Sequence, residues 1–179
     1  MKRTIFAAGI VILLLGLFMA PSAYSVSARE PKILEFDTMI GVPKVYTGST
    51  NPIRGINGGG LPWFINGASG ELSASGKLEV KVSGLVFDPS DPTVVARGLA
   101  NMNTVTSFKA VVSCQTVDAS GSAVVVNVST DAFPATTGLA SAGGGNAKIE
   151  ARLSLPKPCI APIVFITSPG GAWFAATGN

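Results

Sequence analysis

Lys77-Leu78-Glu79-Val80-Lys81-Val82-Ser83 carries an apolar residue at every second position, with charge or hydroxyl between. Alternate side chains of a strand point to opposite faces, so Leu78, Val80 and Val82 share a buried face while Lys77, Glu79 and Lys81 face water. Helical periodicity would scatter the same residues around a cylinder. Lys148-Ile149-Glu150-Ala151-Arg152-Leu153-Ser154-Leu155 repeats the alternation. Both segments are predicted to be half-buried strands, with Glu79 and Glu150 on a solvated outer face.

Between these two segments, Phe108, Ala110, Val112 and Cys114 share one phase of residues 104–117, and Val124, Val126 and Val128 share one phase of the segment that follows. Asp118-Ala119-Ser120-Gly121 between them is turn chemistry and predicts an antiparallel hairpin. Residues 160–166 are apolar on both phases, as in a central strand covered on each side, with Pro158 and Pro162 restricting its start. Trp63-Phe64-Ile65 followed by Asn66-Gly67 predicts a hairpin turn, and Gly76 after residues 71–75 predicts a second. Residues 33–39 and 172–176 supply the first and last strands. Loops are expected over residues 46–62, 88–103 and 134–145, and no amphipathic helix is expected after residue 28. Eight to ten short strands joined by Gly/Pro/Asn loops predict an all-β chain folded as an antiparallel β-sandwich, with Ig-like and jelly-roll-like topologies both open.

The N-terminal residues set the address. Lys2 and Arg3 precede an apolar run over residues 5–20, and small residues follow to Ala28. This is the three-part pattern of a helical secretory signal peptide over residues 1–28, leaving residues 29–179 as a single β-sandwich domain that is secreted or extracellular. Val26-Ser27-Ala28 and Ala23-Tyr24-Ser25 both offer small residues for cleavage. The apolar run lies near the lower limit for a membrane span and has no basic stop-transfer cluster, so no stable membrane anchor is expected after cleavage. Few, scattered aromatics argue against an outer-membrane barrel.

Composition then narrows the chemistry. Without Lys2 and Arg3 the basic excess falls to one, which leaves no electrostatic footprint for nucleic acid. Charged residues make up 13% of the chain, about half the usual share. The absence of histidine removes Ser-His-Asp and Cys-His nucleophiles and every His-ligated metal centre. The two cysteines, Cys114 and Cys159, are predicted to form a disulfide in an oxidising compartment. No cofactor is expected.

Carboxylate chemistry is what remains for an enzyme, since a glycosidase needs two acids facing each other across a sugar. Glu35 and Asp37 share a strand phase, and Asp37 in an apolar setting is the acid such a hydrolase would use. Asp88 and Asp91 could offer oxygens to calcium, but Asp-Pro and Ser-Asp-Pro are ordinary turn starters and no acidic loop array accompanies them. Gly58-Gly59-Gly60 lacks the Gly-Lys-Ser/Thr of a phosphate loop. Trp63, Trp173 and Phe174 are the aromatic candidates for a ligand platform; their alternative role is core filling. Asn127-Val128-Ser129 fits an N-glycosylation site within a strand.

The expectation is a secreted or cell-surface non-enzymatic β-domain that binds an extracellular ligand or partner, carbohydrate or protein. A structural subunit of an extracellular coat or filament is the second expectation, with strand 160–166 pairing between chains. A carboxylate-dependent hydrolase of an extracellular polymer is the third.

Overall fold

A computed structural model describes residues 30–178, so the predicted signal peptide and its cleavage sites lie outside the described residues. In chain order the strands are β1 (Lys32–Phe36), β2 (Ile40–Gly41), β3 (Trp63–Ser73), β4 (Lys77–Phe87), β5 (Met102–Asn103), β6 (Ser107–Val117), β7 (Ala123–Ser129), β8 (Phe133–Pro134), β9 (Gly138–Leu139), β10 (Ala147–Arg152), β11 (Ile160–Thr167) and β12 (Trp173–Ala176). One sheet runs β1-β3-β4-β10. The other runs β2-β12-β11-β6-β7, with β8 also on β6, and β5 pairs with β9. Every strand pairing is antiparallel. The fold is therefore the expected all-β antiparallel sandwich. Its core joins Leu72, Leu78, Val80 and Ile149 of the first sheet to Phe108, Val112, Val164 and Ile166 of the second. Full burial of each such side chain contributes about 2 kcal/mol.

The two decisive strands pair directly, with Val80 opposite Ile149 on the buried face and Glu79 opposite Glu150 on the outer one. The long hairpin containing β4 departs from expectation at its far end. Asn66-Gly67 makes no turn: β3 passes straight through it, with Ile65 opposite Leu85 and Gly67 opposite Ser83. The turn lies at Gly76, whose amide donates to the Ser73 carbonyl. Asn66-Gly67 instead sits where the ribbon bends. Gly84 adopts φ 60° in the facing strand, and the Asn66 side chain fills the space a Cβ there would need. Up to this bend the core positions are Ala68, Leu72, Leu78, Val80 and Val82; beyond it Trp63 and Leu85 join the core, one residue out of phase, while Val86 is buried outside that cluster. A glycine bend inside a strand pair thus switches which side chains reach the core.

One further expectation is corrected. Residues 92–96 form a one-turn helix, α1 (Pro92–Ala96), within the predicted loop. The Asp91 carboxylate accepts from the Thr93 and Val94 amides and Pro92 occupies the first helical position, a start that needs no periodic apolar face. Strand 160–166 lies between β12 and β6 in the sheet order, but only its C-terminal residues, from Phe165 on, pair with both neighbours, while Ile160 and Ile163 pair with β6 alone.

Cys114 and Cys159 are bonded, with Cα atoms 4.9 Å apart. The bridge ties β6 to the residue preceding its neighbour β11 within one sheet. The 45-residue separation gives about 4 kcal/mol in the chain-entropy treatment.

Candidate functional site

The three aromatic candidates come together, but inside the protein. Trp63 and Phe174 stack with centroids 4.0 Å apart, Phe87 packs on the other contact of Trp63 at 4.4 Å, and Phe108 meets Phe174 edge-on. Trp173 is in contact with Phe165 and Tyr46. Exposures of 3% for Trp63, 2% for Trp173 and 6% for Phe174 leave no ring face for a ligand. The platform expectation is corrected for a physical reason. The bend at Gly84 turns Trp63 inward, and residues 42–59 cover Trp173, with the Asn57 carbonyl accepting from its amide and Gly59 donating to its carbonyl.

The outer face of the first sheet gathers charge in a row. Glu35, Glu71, Glu79 and Glu150 lie opposite one another in turn across all four strands. Like charges directly across a ladder repel, so such a row needs local compensation. Lys32 supplies it to Glu35 at 2.8 Å and Glu71 at 2.6 Å, Lys77 to Glu79, and Lys148 to Glu150. These hydrogen bonds raise the pKa values of Lys32, Lys77 and Lys148 above the ordinary lysine value. A shallow groove over this face is lined by Glu35, Asp37, Glu71 and Lys81 among others. Its glutamates Glu35, Glu71 and Glu79 are paired with lysines, and Asp37 is exposed at the groove margin.

The remaining polar candidates are structural. Asp88 accepts from the Ser90 amide and hydroxyl, and Asp91 caps α1 while pairing with Lys44 at 3.4 Å. Burial disfavours the Asp91 anion, but the Val94 amide and Lys44 outweigh it and hold the carboxyl below its usual value. Asp118 is likewise lowered, chiefly by the Ser120 hydroxyl and the Ser122 amide, and this carboxylate organises the β6–β7 turn. Among the described residues no cluster of three or more Cys, Asp and Glu side chains could hold a metal ion. Gly58 and Gly59 face close neighbours, the Tyr46 carbonyl and the Phe174 ring, which explains glycine there as a packing requirement.

The unusual surface is the free edge of β7. Its sequence, Ala-Val-Val-Val-Asn-Val-Ser, has no charge and no proline. Two bonded ends fix its hydrogen-bond phase. The Thr130 amide donates to the Ala110 carbonyl beyond one end, and the Asp118 amide donates to the Ser122 carbonyl beyond the other. Bonded pairs alternate along an antiparallel ladder, so Val124, Val126 and Val128 bond to β6. The N–H and C=O groups of Ala123, Val125, Asn127 and Ser129 therefore point away from the sheet. Val125 is 44% exposed, and beside it on the same face lie Val117 at 51% and Ile160 at 53%.

Open edges invite pairing with other chains, and proteins usually guard them. The other three edges of the two large sheets are guarded. β1 is short, bulged and charged at Lys32 and Glu35. β10 carries Lys148, Glu150 and Arg152 and is bridged at Ala147 by Ala135. β2 has only two residues. The uncharged run in residues 123–129 was the signal available in the sequence, although nothing local to it shows that the strand lies at an edge.

Arg54 secures the covering loop beside this edge. It holds φ 48° and sends its guanidinium to the Ser113 carbonyl at 2.8 Å and the Ala161 carbonyl at 2.8 Å. Those carbonyls flank the β11 bulge, where Pro162 has no N–H to give. The Arg54 carbonyl in turn accepts from the Asn127 side-chain amide of β7 at 3.0 Å. The loop is thus latched across β11, β6 and β7, and the backbone edge of β7 remains open. No family model, curated protein or solved structure matches the chain.

Proposed function

We propose that the chain is a secreted, non-enzymatic β-domain that binds an extended polypeptide segment by adding it as a strand to the open edge of β7. The observation that carries this reading is the outward-facing, uncharged ladder of Ala123, Val125, Asn127 and Ser129, the one large-sheet edge among the described residues without a guard. Strand addition takes affinity from main-chain hydrogen bonds and selectivity from alternate side chains. A protein segment is favoured over a sugar because the three candidate platform rings, Trp63, Trp173 and Phe174, are buried. The reading is non-enzymatic because the chain has no histidine and its row of glutamates is occupied by lysines. Export through residues 1–28 accords with the disulfide, which persists in oxidising compartments.

The test uses a labelled peptide of residues 122–130 as an extended probe, with binding to the exported protein followed by fluorescence anisotropy. Wild-type protein is expected to bind it, and Val125→Pro, which removes an outward N–H, is expected to lose binding. No binding by the wild type, or equal binding by the variant, would overturn the proposal.

A further inference from the structure

Resting on that reading of the edge, we infer that the segment bound is β7 of a second copy of this chain, added antiparallel about a two-fold axis through Val126, and that association stops at the dimer. The strand complements itself. With Val126 opposite Val126 of the second copy, Val125 faces Asn127 and Ala123 faces Ser129, each in both directions. These four residues carry the outward groups, so the register satisfies all of them in about eight hydrogen bonds. Shifting the register by two residues in either direction leaves outward groups at the ends unpaired.

The side chains agree with the same register. Val124 and Val128 of one copy oppose Val128 and Val124 of the other, so the half-buried valine face becomes continuous across the junction. The mixed face sets Ala123 against Ser129 and Val125 against Asn127. With no charge on β7, self-pairing brings no like charges together, whereas the rows of Lys and Glu on β10 would be frustrated in the same arrangement. An isologous contact uses the same patch on both copies and closes. Each copy has one unguarded edge among the described large-sheet edges, so nothing remains to propagate a filament.

Sedimentation velocity of the exported protein over a micromolar to submillimolar range, combined with variants at exposed positions, tests this. The wild type should sediment as a dimer at the upper end, with no larger species. Val125→Pro should be monomeric throughout. Because the Val125 N–H bonds to nothing among the described residues, the substitution removes no hydrogen bond seen in the fold, and an unchanged thermal melt will show that the fold survives. Val125→Lys provides a second route to the monomer. Register is read by cysteine pairing: hydrogen-bonded pairs have Cα atoms about 5.5 Å apart, within reach of a disulfide. Val125→Cys with Asn127→Cys should therefore give a covalent dimer on oxidation, while Val125→Cys alone should not. A monomeric wild type, a dimer that survives Val125→Pro, or efficient crosslinking of Val125→Cys alone would overturn the inference. A monomeric wild type that still captures the strand peptide would overturn the dimer and leave strand addition standing.

Discussion

Replacing Arg54 by alanine tests whether the loop covering the second sheet is held by one side chain. The guanidinium makes two charge-assisted bonds, to the carbonyls of Ser113 and Ala161. Ala161 is exposed, so water can replace the lost donor there; Ser113 is fully buried, so its carbonyl loses a partner that water does not easily restore. A hydrogen bond to a charged group contributes about 1.5–3 kcal/mol, and with one of the two largely compensated the expected loss is about 2 kcal/mol. For a chain of this length that corresponds to a fall in Tm of about 4–8 °C. Arg54→Gly should lose about 1 kcal/mol less than Arg54→Ala, because glycine relieves the left-handed backbone that any L-residue must hold at φ 48°. Arg54→Lys should fall between alanine and wild type, since an ammonium can reach one carbonyl but lacks the planar fork. Urea unfolding under oxidising conditions, with the m-value compared among variants, gives these differences. An Arg54→Ala protein within 0.5 kcal/mol of wild type, or a lysine variant no better than alanine, would refute the latch.

Three other outcomes follow from the geometry. Replacing Cys114 and Cys159 together by alanine should cost about 4 kcal/mol by the loop-entropy argument, measured by chemical unfolding; a loss below about 1 kcal/mol would contradict it. The lowered pKa of Asp91 makes its contribution complete above its ordinary value of 3.8 and lost as pH falls through the lower folded value. The stability gap between wild type and Asp91→Asn should accordingly be steady near neutrality and shrink below pH 3.8, and a gap that widens with acid would reverse the assignment. Both indoles should emit at short wavelength and resist acrylamide in the native protein, and quenching as strong as in urea would mean that Trp63 and Trp173 are surface rings after all.

The fold was legible wherever one sheet face is buried and the other wet. Lys77 to Val82 and Lys148 to Ala151 alternate because their strands pair with each other over the core, and the β6–β7 hairpin announced itself through Asp118 and Gly121. Asn66-Gly67 misled because the same dipeptide that closes a tight turn also tolerates a bend inside a long ribbon. What decides between them is the facing residue Gly84, eighteen positions away and invisible to local pattern. Trp63 and Trp173 could be flagged as important by size and position, but their burial depends on that bend and on the loop that Arg54 holds down. For β7, composition carried the message and topology supplied its meaning. An uncharged valine strand is ordinary in the middle of a sheet and an open ladder at its edge.

Residue-resolved amide exchange by NMR reads out whether β7 presents an unpaired backbone edge. At high dilution the amides of Val124, Val126 and Val128 should be protected and those of Ala123, Val125, Asn127 and Ser129 should exchange rapidly, with the fast set becoming protected as concentration rises. Protection of Val125 and Asn127 at every concentration, or rapid exchange of both at every concentration, would contradict the account.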